Sequence, residues 1–203
     1  MKKLTFLFIL ISGFLFSQEF SINNYDLNYI KIIDIPNKGK NEIYKGIKSF
    51  LNSSAKNSKY FIDTDNLEIG LISYNEKTEM FPISEFFTLS ATYKVTIDIK
   101  DNKLRYSVNN FSFVENVSLT GTEIKHNYEN YISNLENKES IEKLEKNINS
   151  EGKEKKRNQL ILELAKLKAE KQLKKDAIEN IKKIIINNTD LYLKEINKVN
   201  SDW

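Results

Sequence analysis

Hydrophobic and polar residues alternate most regularly between Phe87 and Ile99. Odd positions in this segment are apolar or aromatic, and even positions are polar or charged. Successive side chains of a strand point to opposite faces of a sheet, so this period of two predicts a strand with one buried face. Asp101 and Asn102 favour a two-residue turn, because both residue types tolerate positive φ, and apolar positions resume at Leu104.

This turn fixes the register of the predicted hairpin. Pairing outward from it places Ile99 opposite Leu104 on the apolar face and Asp98 opposite Arg105 on the polar face. An opposite-charge pair across two strands supports that register. The apolar spacing then slips by one position, which predicts a bulge at 109–110.

Two elements are predicted before this hairpin from residue type and spacing. The segment 29–35 is rich in β-branched residues and stops at Pro36, which is typical of a strand that ends in a turn. Apolar residues then recur at the spacing of one helical face over 43–51. Asn41 is the predicted N-terminal cap of this helix, and 52–54 is its predicted end.

The remaining segments complete an α+β pattern. Weak alternation over 59–64 and 67–71 predicts two strands joined by a turn at 65–66, and 123–147 carries a helical spacing. The predicted order is therefore β-α-β-β-β-β-α. An antiparallel sheet with one apolar face must cover that face, so we expect both helices to lie on the same side of it.

The C-terminal tail differs from the rest in composition. After Gly152 lysine, glutamate and leucine dominate, and 157–187 reads as one long helix. Its apolar residues follow a heptad repeat that Lys171 and Lys174 interrupt, which disfavours a self-sufficient coiled coil. Two interpretations stay open: the helix packs along its own domain, or it binds a partner. Capping residues at 188–190 predict a final short helix.

Residues 1–17 are organised like a secretory signal peptide. A positive pair at 2–3 precedes an apolar run at 4–16, which is shorter than the roughly twenty residues of a spanning helix. Ser17 is a suitable small residue before the cleavage site, and Gln18 would begin the mature chain. The alternative is an uncleaved membrane anchor. Cleavage predicts an exported protein of the periplasm or cell envelope, with an extracellular location as the alternative, and no membrane span after the signal is removed.

Length and charge set the domain organisation and exclude some partners. The chain of 203 residues divides into the signal peptide at 1–17, an N-terminal extension at 18–28, an α+β domain at 29–148 and a helical charged tail at 149–203. It has 31 basic and 28 acidic residues, and two of the basic ones lie in the signal. This near balance predicts no nucleic-acid partner.

The residue types present offer little for catalysis. The sequence has no cysteine, which excludes disulfides, thiol catalysis and cysteine-based zinc sites. His126 is the single histidine, so histidine-cluster metal sites are excluded, and its place on a charged predicted helix favours a surface role. No phosphate loop, nucleophile elbow or metalloprotease motif accompanies it. The sequence therefore predicts no catalytic, metal-binding or cofactor-binding residue.

Several stretches together resemble a known bacterial family. They are the segment Lys40–Tyr44 that leads into a helix, the segment Glu68–Ile72, and the strand Tyr93–Lys100 followed by Asp101–Tyr106. Over 29–113 they resemble the bacterial domain of unknown function 4468. The resemblance implies an exported protein with a fold like that of the TATA-binding protein and no established activity. The family usually has glycine where this chain has Asn102.

That fold would leave one face of a curved sheet open. The four weak candidates for ligand contact on this open face are Lys94, Thr96, Asp98 and Arg105. The likeness to a DNA-binding fold does not predict DNA binding, because fold does not determine function.

The sequence thus predicts a non-catalytic envelope protein that binds another envelope protein through the open sheet face or the C-terminal helix. Two alternatives remain. A structural or assembly protein would oligomerise through the tail. A hydrolytic enzyme would require a concave pocket, and a deep pocket lined by His126 or by several carboxylates would favour it.

Overall fold

The computed structural model describes residues 19–23, 26–54 and 61–198. The predicted signal peptide and the cleavage site between Ser17 and Gln18 lie outside these ranges, so export remains a prediction.

One antiparallel sheet of eight strands forms the centre of the described structure. Its strands are β1 (Glu19–Asn23), β2 (Asp26–Asp34), β3 (Phe61–Asn66), β4 (Leu71–Lys77), β5 (Phe81–Pro82), β6 (Phe87–Lys100), β7 (Lys103–Val117) and β8 (Thr122–Asn127). The main path is β1-β2-β7-β6-β4-β3, while β5 pairs with β6 and β8 pairs with β7. The sequence did not predict β1, β5 or β8, and β1 lies within the predicted extension at 18–28.

Four helices accompany the sheet in the described residues. They are α1 (Lys40–Ser54), α2 (Tyr128–Glu136), α3 (Glu139–Ser150) and α4 (Glu154–Lys198). Helices α1 and α4 cover the apolar face of the sheet, where their buried residues join those of the central strands in a single hydrophobic core. The α+β prediction, with an open antiparallel sheet and a helical C-terminus, is therefore confirmed.

The central hairpin has the predicted register. Ile99 lies opposite Leu104, and Asp98 lies opposite Arg105. The bulge is also where the spacing predicted it, since the pairing shifts by one residue on β7 and Asn110 has φ of 53°. The carboxylate of Asp26 stabilises this bulge by accepting the backbone N–H of Asn110 at 2.6 Å.

Helix α1 begins at Lys40, two residues before the start that a cap at Asn41 predicts, so Asn41 is not its cap. The turn between β6 and β7 supplies the cap instead, because Asp101 Oδ1 accepts the backbone N–H of Lys40 at 2.7 Å. Glu42 adds a second bond by accepting the N–H of Gly39 at 2.8 Å. A cap from a residue that is distant in the sequence leaves no local pattern to read.

The predicted strand at 67–71 is wrong, because residues 67–70 form the turn between β3 and β4. Gly70 adopts φ of 71°, and its N–H donates to the carbonyl of Leu67 at 3.1 Å. Asn66 accepts the N–H of Ile69 at 3.2 Å, so the apolar side chain at 69 points outward from a turn. Strand β4 follows, and Ile72 and Tyr74 fill its buried face.

The helix predicted over 123–147 divides into three elements. Its first residues extend β8 along β7, where His126 lies opposite Phe113. Asn127 then caps α2 by accepting the N–H of Asn130 at 2.8 Å. The extended backbone of Asn137 ends α2 before α3 begins.

Helix α4 is continuous, so the predicted final short helix is wrong. Asn188 and Thr189 do not cap a new helix but are buried inside α4. From Ala177 onward the helix contributes to the core, and Ile181 and Ile196 are fully buried. The second half of the tail therefore packs on its own domain. For that half, the first of the two interpretations is correct.

Candidate functional site

The open face of the sheet carries the four predicted ligand residues close together. Lys94, Thr96 and Asp98 share one face of β6, and Arg105 stands opposite Asp98 on β7. The two cations are already paired, since the Arg105 guanidinium lies 2.9 Å from Asp98 and Lys94 Nζ lies 3.1 Å from Asp63. This part of the face therefore presents internal ion pairs instead of unbalanced charge.

The open face is narrowed at one end by sheet curvature. Ser90 and Val114 pair across β6 and β7 on this face, yet both are fully buried. Lys77 on β4 and Glu123 on β8 belong to strands on either side of that pair, and Lys77 Nζ lies 2.7 Å from Glu123 Oε1. In a flat sheet those strands would stand about three 4.8 Å spacings apart, so the contact requires strong curvature.

A cleft of about 390 Å³ opens on the helical side of the sheet. Strands β7 and β8 form its floor, and α2, α3 and the middle of α4 form its walls. Its ionisable and aromatic lining consists of Glu115, His126, Tyr131, Glu170, Lys171 and Lys174. The sequence did not single out this group, apart from His126, since its members are distant along the chain.

Glu115 is the electrostatic centre of the cleft. Its Oε1 accepts the hydroxyl of Tyr131 at 3.1 Å and lies 3.0 Å from Lys174 Nζ. Lys174 also lies 3.3 Å from Glu170 Oε1, one turn earlier on α4. Burial raises the pKa of Tyr131, and the neighbouring Glu115 carboxylate raises it further, so the hydroxyl keeps its proton and acts as a donor.

His126 lies in this cleft and not on an exposed helix. Its Nε2 atom is buried, has no hydrogen-bond partner among the described residues and lies 3.8 Å from Glu115 Oε2. The imidazole ring also packs against Tyr131, with ring centroids 5.5 Å apart. His126 therefore lies against Glu115 and Tyr131 in the cleft.

The interruption of the heptad repeat marks the position of the cleft. Leu164 and Leu167 precede Lys171 and Lys174, and Ile178 follows them on the same helical stripe. In the cleft the stripe presents Leu167 and the two lysines, and from Ile178 onward it is apolar and joins the core. This sequence signal could have located the site, although its partner Glu115 could not be identified from the chain alone.

A second polar group is buried between the sheet and the far half of α4. Each carboxylate oxygen of Glu76 on β4 lies 3.4 Å from the side-chain amide nitrogen of Asn188. Tyr74 and Tyr192 share a hydrogen bond beside it. Burial raises the pKa of Glu76 from 4.5 to about 7, so this carboxyl is a structural group that titrates near neutrality.

The described ranges contain no group of three histidine, cysteine, aspartate or glutamate residues arranged to hold a metal ion. Within the same part of the chain, no helix combines the length and apolar character that crossing a membrane requires.

Comparisons with known proteins show a similarity in family and fold, and none of them shows an activity. Residues 29–114 match the family model described as a domain of unknown function (DUF4468) with TBP-like fold. No curated protein matches the chain.

Solved structures that are similar to the chain include the following two. A TBP-like protein from Parabacteroides distasonis ATCC 8503 is 17% identical with a TM-score of 0.45, over 54% of this chain and 70% of that one. A DUF4468 family protein from Bacteroides ovatus ATCC 8483 is 14% identical with a TM-score of 0.51, over 85% of this chain and 90% of that one. Helix α4 holds 45 of the 203 residues, so an alignment over 85% of the chain includes part of α4.

Proposed function

From the premise that residues 29–114 match the DUF4468 family, we propose that the protein is an exported, non-catalytic interaction module of the cell envelope. Its recognition element is the helical hairpin, which we define as α3 together with residues 154–175 of α4. The signal-like sequence at 1–17 supports export. The observation that carries the proposal is the division of α4 into a half that belongs to the core and a half that does not.

The helical hairpin carries exposed apolar side chains that do not belong to the core of the domain. Helix α3 has no buried residue, and its main packing partner is α4. On α4 the exposed fractions are 42% for Ile161, 63% for Leu162 and 44% for Leu173. All the residues that α4 buries lie from Ala177 onward. Exposed apolar residues that cluster on one element are typical of a protein-binding surface.

A groove between the two helices adds to this surface. It has a volume of about 490 Å³, and Leu144, Leu160 and Leu167 contribute its apolar lining. Lys168 and Glu145 form an ion pair between the two helices at 2.9 Å. An amphipathic helix or extended segment of a partner protein is the class of ligand that such a groove accommodates.

The open sheet face is the weaker candidate for a protein contact. Its charges are paired internally, as the contacts of Lys94 and Arg105 with Asp63 and Asp98 illustrate. A partner would gain little there from charge complementarity, because each ion pair is already satisfied. This argument favours the helical hairpin over the sheet as the recognition element.

An affinity purification from envelope fractions tests the proposal. The bait is the full mature chain, compared with a Leu162→Ser/Leu173→Ser variant of the helical hairpin. The matched control is Leu191→Ser, which changes a leucine that is 44% exposed on the core half of the same helix. We expect one protein that is recovered with the parent and the control and lost with the hairpin variant. Equal recovery with all three baits would contradict the proposal.

A hydrolytic enzyme is the second candidate, because the cleft is lined by His126 and by two carboxylates, Glu115 and Glu170. This is the kind of pocket that would favour an enzyme. Its test is hydrolysis of ester, amide and glycoside reporter substrates by the purified protein. Turnover that His126→Ala or Glu115→Gln abolishes, while both variants stay folded, would establish the enzyme in place of the interaction module.

Assembly through the tail is the remaining alternative. In that account a second copy of this chain, and not a different protein, binds the hairpin surface. It predicts that the mature chain alone forms oligomers. A monomeric mass by light scattering, together with recovery of a different protein in the purification, would leave the interaction module as the better account.

A further inference from the structure

The cleft adjoins the groove of the helical hairpin and shares Ser140 and Leu167 with it, but its lining is mainly polar and charged. Two lysines and two glutamates line the cleft, so their charges balance. Lys174 lies 3.0 Å from Glu115 and 3.3 Å from Glu170, and Lys171 donates to the backbone carbonyl of Asn137. The exposed fractions of the Lys174 and Glu115 side chains are 22% and 13%. An anionic or cationic ligand would have to compete with this largely buried ion pair, and breaking such a pair is unfavourable.

Polar groups without charge are available on the walls of the same cleft. The side-chain amide of Asn134 on α2 and the hydroxyl of Ser140 on α3 both line it, and both residues are exposed. Neither side chain makes a hydrogen bond with another residue in the part of the chain that the structure describes. Leu135 and Leu167 provide apolar contacts between them.

From this arrangement we propose that the cleft binds a neutral, hydroxyl-rich small molecule of the monosaccharide or disaccharide class. A sugar hydroxyl both donates and accepts, so it can donate to the remaining lone pairs of Glu115 and Glu170 and accept from Lys174 without breaking their ion pairs. The amide of Asn134 and the hydroxyl of Ser140 supply further neutral partners. A volume of 390 Å³ lies near the small end of the roughly 300 to 1,000 Å³ that is usual for ligand pockets.

Saturation-transfer NMR on the full mature protein tests the class of ligand. The neutral probes are glucose, galactose, mannose, N-acetylglucosamine and lactose at millimolar concentration, and the charged comparators are glucuronate and glucosamine. We expect saturation transfer to at least one neutral sugar and weaker transfer to the charged relatives of that sugar. Transfer to none of the neutral sugars, or stronger binding of the charged ones, would overturn the proposal.

Three variants test the location of the site. Asn134→Leu and Ser140→Leu should each weaken binding of the responding sugar about fivefold or more, because each loses a hydrogen bond and adds bulk to the wall. Asn180→Leu changes an exposed asparagine of α4 that does not line the cleft, and it should leave affinity unchanged. Thermal melting checks that all three are folded. Unchanged affinity in both cleft variants would overturn the assignment, whatever the purification with the hairpin variants recovers.

Discussion

Gly46 on α1 lies directly against Ile196 on α4. A β-carbon at Gly46 would stand 2.6 Å from the Cα of Ile196, which is closer than real side chains approach a backbone. The two helices therefore cross at a point where only glycine leaves enough room. This contact joins the first helix of the domain to the last turns of the tail, and it makes the end of α4 an integral part of the core.

We expect Gly46→Ala to lower the free energy of unfolding by about 1 to 3 kcal/mol, the usual range for overpacking, despite the better helix propensity of alanine. Gly152→Ala is the matched control, because a β-carbon there would meet no atom within 4 Å. Urea denaturation of both variants measures the difference. A Gly46→Ala protein as stable as the parent would show that α1 and α4 do not cross this closely.

Removing a buried side chain from the far half of α4 should destabilise the whole domain. Ile181 is fully buried, and Ile181→Ala is expected to lower the free energy of unfolding by about 2 to 5 kcal/mol. Leu162→Ala on the exposed hairpin face should change it by less than about 1 kcal/mol, since that side chain is 63% exposed. Chemical denaturation of the two variants provides the comparison, and equal effects would mean that α4 is not divided in this way.

Deletion of the tail should unfold the protein rather than remove a separate recognition element. A chain that ends at Asn149 lacks the core residues Ile178, Ile181, Ile185, Tyr192 and Ile196. We expect it to lose the cooperative thermal transition that the full mature chain shows by circular dichroism. A cooperative transition at the parental temperature would contradict the account of the core.

Stability should fall as pH rises through neutrality because of Glu76. Its pKa is about 7 in the folded protein against 4.5 as the ordinary value, so only the unfolded chain releases this proton between those values. The raised pKa of Glu76 contributes about 3 kcal/mol to the free energy of unfolding. This contribution is complete below pH 4.5 and is lost as pH rises through 7.

The variant Glu76→Gln should remove this part of the pH dependence and should be more stable than the parent at pH 8. Glu79→Gln is the control, because Glu79 is exposed. Urea denaturation at pH 5 and pH 8 measures the effect. If the parent and Glu76→Gln lose stability equally between the two pH values, Glu76 is not the titrating group.

The ion pair on the open face should matter little for stability. The side chains of Arg105 and Asp98 are 56% and 35% exposed, so solvent screens their contact at 2.9 Å. We expect Arg105→Ala to change the free energy of unfolding by less than about 1 kcal/mol. Thermal denaturation at low and high salt checks this. A larger loss that added salt did not reduce would show that Arg105 contributes through packing.

Regular local patterns made the centre of the sheet predictable. The alternation from Phe87 to Ile99 and the turn at 101–102 determined two strands, their register and the bulge, because each of these depends on neighbours in the sequence. The elements that the sequence did not predict depend on distant partners. Strand β8 forms by pairing with β7, and the turn at 67–70 is set by the positive φ of Gly70.

The candidate site was less predictable than the fold. His126 was recognised as the single histidine, but its predicted position on an exposed helix was wrong. Glu115, Tyr131 and Lys174 meet only because β7, α2 and α4 converge, and no spacing along the chain encodes that meeting. The two lysines that interrupt the heptad of α4 were the one local sign of the cleft.

Photo-crosslinking in living cells tests the central claim most directly. A photoreactive amino acid is placed at Leu162 on the helical hairpin of the full-length chain and, in a parallel strain, at Leu191 on the core half of the same helix. If the hairpin is the recognition element of an exported module, a single envelope protein will be crosslinked from position 162 and not from position 191. If both positions give the same background, or if the only product from 162 is a second copy of this chain, the helical hairpin does not recruit a separate partner and the proposed function is wrong.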